Sequence, residues 1–174
     1  MKKLNRRGFT LIELLAVIVI LAIIVVVTVP TIISTIADAR VQSLWNLAGE
    51  VANSYDTGVA QDLLSPGKSL QGATATTSWQ CIGSVPTTSE GKTLNNLAEV
   101  LDLSEKDLIL DGDKVPTYDT DQKIVVASDT CSAIRVNASG GAEVLLVAKN
   151  GGKFAISGKT VYALSTDDNG TAKW

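Results

Sequence analysis

The chain contains no histidine, and aromatic residues make up only 5% of its 174 positions. Without histidine, the commonest general base and the commonest metal ligand of proteins are missing. The acidic residues do not cluster at a convincing spacing, and no set of nucleophile and base stands out. We therefore expect no enzymatic activity, no cofactor and no metal site. The scarcity of aromatic residues predicts a modest, mainly aliphatic core.

Acidic residues are missing from the first seven positions, which hold Lys2, Lys3, Arg6 and Arg7. The chain has 15 basic and 18 acidic residues, so without these four the balance is 11 − 18 = −7. An acidic body does not attract phosphate backbones, and we predict no nucleic-acid partner. The basic cluster is separate from that body and has to serve another purpose.

A long apolar run follows the basic cluster and covers residues 9–30, with Glu13 as its only charged residue. A helix of that length and composition can span a bilayer of about 30 Å. The preceding lysines and arginines should remain in the cytoplasm and direct the chain after Pro30 outward. A secretory signal peptide explains the segment less well, because no small-residue cleavage pattern follows the run.

Glu13 is the informative residue of this run, because a carboxylate inside a membrane costs roughly 2.5 to 3.5 kcal/mol at mid-helix. A permanent anchor leaves that cost unexplained. Cleavage after Gly8 would make Phe9 a positively charged N-terminus four residues from Glu13, in the same molecule or a neighbour. The alternative is that Glu13 lies at the membrane edge and extends to the interface.

The string RRGFTLIELLAVIVILAIIVVVTVP strongly resembles the N-terminus of type IV prepilins and related pseudopilins. The matching features are the short basic leader, Gly8 before Phe9, the Thr-Leu-Ile-Glu sequence ending at Glu13, and the aliphatic run. The resemblance implies cleavage between Gly8 and Phe9 by a prepilin peptidase and N-methylation of Phe9. It also implies that Glu13 pairs with the Phe9 amine of a neighbouring subunit, and that Pro30 kinks the helix. Ala22 departs from the glycine that many relatives have in mid-run.

By this resemblance, the protein is expected to be the structural subunit of a type IV pilus and, more specifically, its major pilin. It would lie in the inner membrane as a single-pass precursor and then in an extracellular filament. Its partners would be the prepilin peptidase and methyltransferase, further copies of itself, minor pilins and the assembly machinery. Adhesion, surface (twitching) motility and aggregation follow from the family alone. The alternatives are a pseudopilin of type II secretion or DNA uptake, and an anchored binding domain that never polymerises.

The sequence predicts an α+β fold in which one long helix packs on a C-terminal antiparallel sheet. Residues 1–8 form the leader, 9–30 the apolar helix, 31–56 its amphipathic continuation and 57–174 the globular head. A stripe of apolar residues at 33, 37, 41, 44, 48, 51 and 55 has the helical period. Residues 57–122 read as a connecting region with a short helix at 94–103. Glycine-rich turns divide residues 123–174 into strands, predicted at 123–127, 133–137, 143–148, 153–157 and 160–165.

Cys81 and Cys131 are the two cysteines, and they are too far apart in sequence for a close-spaced metal motif. Outside the cytoplasm they could form one disulfide, and two free buried thiols are the alternative. The aspartates at 111, 113, 119 and 121, and the group at 167–169, offer oxygen ligands for calcium. Neither group matches a calcium-binding loop, and ordinary turns are the preferred interpretation.

Overall fold

The computed structural model describes residues 8–64, 76–84, 88–89, 92–93, 97–121 and 123–166. The chain divides into two compact units, Met1–Asp38 and Ala39–Trp174. The described part of the first unit is almost entirely helical, and the second unit contains the sheet and the core. Most of the predicted leader, residues 1–7, lies outside the described residues.

Helix α1 comprises Leu11–Leu64 and contains Pro30. Aliphatic residues and alanine dominate its sequence, and the helix continues through the proline even though one backbone hydrogen bond is lost there. It ends at Leu64, beyond residue 56, the predicted end of its amphipathic part. The weakly periodic sequence after Tyr55 did not indicate this extension, because helix propensity alone is a weak signal.

The apolar stripe of α1 forms one side of the core of the second unit, which confirms the predicted packing. Its buried members are Val41, Leu44, Ala48, Val51 and Tyr55. They belong to the same buried cluster as side chains of the sheet, among them Ile134, Val144, Leu146 and Ala163. Complete burial of one such aliphatic side chain contributes about 1.5 to 3 kcal/mol.

In the described part of the chain, four strands form the main, antiparallel sheet: β1 (Gln80–Cys81), β6 (Ala133–Val136), β7 (Ala142–Val147) and β8 (Tyr162–Leu164). They lie side by side in the order β1-β6-β7-β8. Asn137 and Gly140 shape the β6–β7 turn, in which Gly140 has a φ of 88° that favours glycine. Long helix and antiparallel sheet together confirm the predicted α+β class.

Smaller elements lie between β1 and β6. They are a 3-10 turn (Ile82–Ser84), the strand pair β2 (Thr88–Ser89) and β3 (Lys92–Thr93), helix α2 (Leu97–Val100), and the strand pair β4 (Thr117–Tyr118) and β5 (Ile124–Val125). Helix α2 ends where Asp102 adopts a φ of 52° and the Leu103 amide donates to Ala98. It is shorter than the predicted helix, of which residues 94–96 lie outside the described residues.

Three expectations for the head differ from the structure. The predicted strand at 153–157 is wrong, because Phe154 is buried in a turn and the Lys153 amide donates to the Asp107 side chain instead of a strand. Residues 124–125 pair with Thr117–Tyr118 and not with the main sheet. The connecting region also contributes a strand of that sheet, since Gln80 and Cys81 pair with β6.

Candidate functional site

The first unit presents an apolar helix surface that its own chain does not cover. Its large hydrophobic side chains are between 44% exposed, at Val29, and 87% exposed, at Phe9. Exposed apolar area of this extent is unfavourable in water and marks a surface that meets lipid or another protein. Among the described residues, α1 is the helix whose length and composition suffice to cross a membrane.

Gly8 and Phe9 precede α1 and lie in irregular backbone. Both residues are exposed, and a methyl group placed on Gly8 would meet nothing within 4 Å. The peptide bond between them is therefore accessible, and nothing in the surroundings of Gly8 requires a glycine for steric reasons. If cleavage requires a glycine at position 8, that requirement must come from the enzyme that recognises the site.

Thr10 and Glu13 form a capping box at the start of α1. The Thr10 amide and hydroxyl each donate to Oε2 of Glu13 at 2.8 Å. In return, the Glu13 amide donates to the Thr10 hydroxyl at 3.3 Å. This reciprocal arrangement satisfies backbone donors that a helix start leaves without intrahelical partners. The carboxylate is also well placed beside the positive end of the helix dipole.

Thr10 is the partner of Glu13 in this capping box, beyond its place in the N-terminal sequence motif. The signal was present, because Thr10 and Glu13 have the threonine-x-x-glutamate spacing that marks a capping box. Glu13 therefore has a structural task within its own chain. Its expected pairing with a neighbouring Phe9 amine remains a prediction.

Pro30 lies inside α1, and the helix continues on both sides of it. Thr28 lies two residues before the proline, and its hydroxyl donates to the Ile24 carbonyl at 2.9 Å. Such side-chain bonds to the preceding turn often accompany a bend in a helix. The predicted kink at Pro30 remains an expectation from the proline chemistry.

Cys81 and Cys131 form a disulfide, with their Cα atoms 5.6 Å apart. Cys81 ends strand β1, and Cys131 lies just before β6. The bond therefore ties a two-residue edge strand to its neighbour in the sheet. Both half-cystines are buried beside Ala133, with Trp79 packed against the group.

The aspartate-rich segment around residue 119 has the hydrogen bonds of a turn. Oδ1 of Asp119 accepts from the amides of Asp121 and Lys123 at 2.9 and 2.8 Å. In the part of the chain that the structure describes, no group of three or more acidic or cysteine side chains is arranged to hold a metal ion. The second candidate group, at 167–169, lies outside the described residues.

Residues 3–29 match a family model described as the prokaryotic N-terminal methylation motif. The match covers the basic leader, the accessible Gly8–Phe9 bond, the capping box and the apolar run up to Val29. It does not extend into the globular head. No curated protein and no solved structure matches the chain.

Proposed function

We propose, from the signature that this chain shares with type IV pilins and pseudopilins, that it is the structural subunit of a type IV pilus. In this proposal, the precursor inserts into the membrane, is cleaved after Gly8 and is methylated on the Phe9 amine. The cleaved chain then polymerises into an extracellular filament. The signature is that of a structural protein type and not of an enzyme.

The observation that carries the proposal is the uncovered apolar surface of the first unit. From Phe9 to Ile36, nineteen large hydrophobic side chains are exposed on a helix with Glu13 as the one acid near its start. Lipid covers such a surface before assembly. Helices of neighbouring copies would cover it in the filament, where burial of aliphatic side chains supplies the driving force for association.

Cleavage gives Glu13 a second possible partner. The new Phe9 amine would be positively charged near neutral pH and adjacent to Thr10, whose backbone and hydroxyl already hold the carboxylate. A free carboxylate in the apolar filament core would be costly, and an ammonium group from the next copy would remove much of that cost. The pairing would thus favour one axial offset between neighbouring helices.

The proposal is tested with full-length variants expressed in the bacterium that assembles the filament. Gly8→Ala should leave an uncut precursor in the membrane, whereas Gly49→Ala should be cut normally. Gly49 is the matched control because a methyl group there also meets nothing within 4 Å. Normal cleavage of Gly8→Ala, measured by mass spectrometry of the N-terminus, would contradict the proposed site.

Glu13→Ala should still be cleaved but should enter filaments poorly, whereas Glu50→Ala, an exposed acid on the same helix, should assemble normally. Sheared surface filaments that consist mainly of this chain would support the pilus subunit. Its absence from surface filaments, together with impaired secretion or DNA uptake after deletion, would favour a pseudopilin. A chain that is never cleaved and never polymerises would indicate an anchored binding domain.

A further inference from the structure

Asn150 and Gly151 form an exposed asparagine–glycine pair in the segment that follows β7. They lie in a turn that is closed by a hydrogen bond from the Gly152 amide to the Lys149 carbonyl at 3.0 Å. Gly151 has a φ of 84°, which favours glycine, and a methyl group placed on it would meet nothing within 4 Å. The Gly151 backbone therefore borders open space and has room to move relative to the Asn150 side chain.

The other asparagines in the described part of the chain have more restrained surroundings. Asn46 and Asn53 lie inside α1, where the amide of the following residue is hydrogen-bonded within the helix. A helical backbone holds that amide nitrogen away from the asparagine side chain. A second asparagine–glycine pair, Asn169–Gly170, lies outside the described residues.

Asn137 is the asparagine most similar to Asn150, because it also lies beside a tight turn between strands. Its side chain is nevertheless held in place. Oδ1 of Asn137 accepts from the amides of Ser139 and Gly141 at 3.1 and 3.0 Å, and from the Ser139 hydroxyl at 2.8 Å. The next residue is Ala138, whose methyl group hinders an approach of its own amide nitrogen. Asn137 therefore serves as an internal reference for Asn150.

An exposed asparagine–glycine pair supports an intramolecular reaction. The Gly151 backbone nitrogen loses its proton and bonds to Cγ of Asn150, while the bond from Cγ to Nδ2 breaks and Nδ2 leaves as ammonia with an added proton. The product is a five-membered succinimide ring. Water then opens the ring and leaves aspartate where it breaks the new nitrogen–Cγ bond, or isoaspartate where it breaks the original peptide bond. Water is the co-reactant, and no atom is oxidised or reduced.

We propose that Asn150 is a site of spontaneous modification, at which the folded chain converts asparagine to aspartate and isoaspartate and thereby loosens the turn. Glycine at position 151 favours the reaction, because it has no side chain to obstruct the attacking nitrogen and its backbone moves readily. The reaction involves residues of one chain only. It therefore goes beyond the proposed polymerisation and does not depend on it.

Isoaspartate at position 150 would add one methylene group to the main chain of a turn that is tightly held. Asp107 binds both ends of this turn: its carbonyl accepts from the Lys149 amide and its Oδ1 from the Lys153 amide, each at 2.9 Å. A Cβ atom on Gly152 would lie 2.7 Å from Cα of Asp107, so the two backbones are in close contact. A longer main chain does not fit between these fixed points, and the turn separates from Asp107.

The modification is tested on the purified full-length chain in detergent, incubated in mildly alkaline buffer and sampled over time. Mass spectrometry of peptides that contain position 150 or position 137 measures the loss of each side-chain amide, and an isoaspartate methyltransferase detects the isoaspartate. Asn150 should be converted several-fold faster than Asn137, at a rate that rises with pH because the attacking nitrogen must lose its proton. A rate at Asn150 that does not exceed the rate at Asn137 would overturn the proposed site.

Two variants separate the effects of the added charge and of the added methylene group. Asn150→Gln retains the amide but would need a larger ring, and it should stay unmodified. Freshly prepared Asn150→Asp has the charge of the product with a normal main chain, and its Lys149 and Lys153 amides should exchange hydrogen as slowly as in the fresh wild type. The isoaspartate form should exchange them several-fold faster. Unchanged exchange in the isoaspartate form would show that the turn stays bound to Asp107 and would overturn the proposed loosening.

Discussion

Oε2 of Glu13 lies 2.8 Å from both the backbone nitrogen and the hydroxyl oxygen of Thr10. The carboxylate thus caps the helix of its own chain through hydrogen bonds that an uncharged acceptor could also make. Pairing with an amine of another chain would require its negative charge. These two tasks, capping and pairing, make different demands on the side chain and can be separated by substitution.

Glu13→Gln separates them, because glutamine also serves as the second member of a capping box but has no charge. We expect this variant to be inserted and cleaved like the wild type, and to enter filaments as poorly as Glu13→Ala. Mass spectrometry of the processed chain and the yield of sheared filaments measure the two steps. If Glu13→Gln forms filaments at the wild-type yield, capping and not charge is what assembly needs.

Loss of the disulfide should destabilise the head. The Cys81–Cys131 bond joins residues 50 positions apart, for which the chain-entropy model gives about 4 kcal/mol. We expect Cys81→Ala with Cys131→Ala to lower the free energy of unfolding by about that amount. Urea denaturation of the detergent-solubilised chain, followed by tryptophan fluorescence, measures it. A reducing agent should destabilise the wild type to a similar extent and leave the double variant unchanged.

Arg135 and Glu143 form the most buried ion pair among the described residues. Nε and Nη2 of Arg135 both lie 2.6 Å from Oε2 of Glu143, whose side chain is only 9% exposed. Arg135→Met leaves that carboxylate without its cation, and we expect a loss of about 3 kcal/mol in the free energy of unfolding. The double variant Arg135→Met with Glu143→Met should recover a large part of the loss. A double-mutant cycle in urea measures the coupling free energy between the two side chains. Additive losses would show that Arg135 and Glu143 are not coupled.

The Arg135 guanidinium also lies between two aromatic rings, 4.7 Å from the ring centre of Trp79 and 5.1 Å from that of Tyr118. Through Tyr118, this stack connects the β4–β5 hairpin to the main sheet. Arg135→Lys keeps the charge but not the planar group that stacks on both rings. It should therefore preserve more stability than Arg135→Met while loosening the hairpin, which faster amide hydrogen exchange in residues 117–125 would reveal.

The Lys114–Asp129 ion pair should make a small, pH-dependent contribution to the free energy of unfolding. The hydrogen bond from Lys114 lowers the pKa of the Asp129 carboxyl below its ordinary value. A lowered pKa in the folded state means that the pair stabilises the fold above the ordinary aspartate pKa and that this stabilisation disappears as the pH falls through the lowered value. Lys114→Met should raise the Asp129 pKa in an NMR titration. An unchanged titration midpoint of Asp129 would contradict Lys114 as the cause of its lowered pKa. Added salt should weaken the stabilisation by this ion pair.

Much of the fold was predictable because its signals are local. The stripe from Val41 to Tyr55 has the helical period, and glycine-rich turns separate the sequences of β6, β7 and β8. Strand β1 gave no such signal, because two residues cannot show a period and Gln80 joins the sheet through Ile134, far along the chain. The predicted strand at 153–157 failed because its apolar Phe154 reaches the core from a turn.

The apolar helix, the Gly8–Phe9 pair and the acid at position 13 can all be read from the sequence. These features depend on neighbouring residues, since composition and short spacings decide membrane insertion, processing and the start of a helix. Three contacts could be seen only in the folded chain: the bond between Cys81 and Cys131, the ion pair of Arg135 with Glu143, and the hydrogen bond from Arg40 to the Ala155 carbonyl. The reason is physical: these contacts join residues distant in the chain, and their geometry follows from how helix and sheet pack.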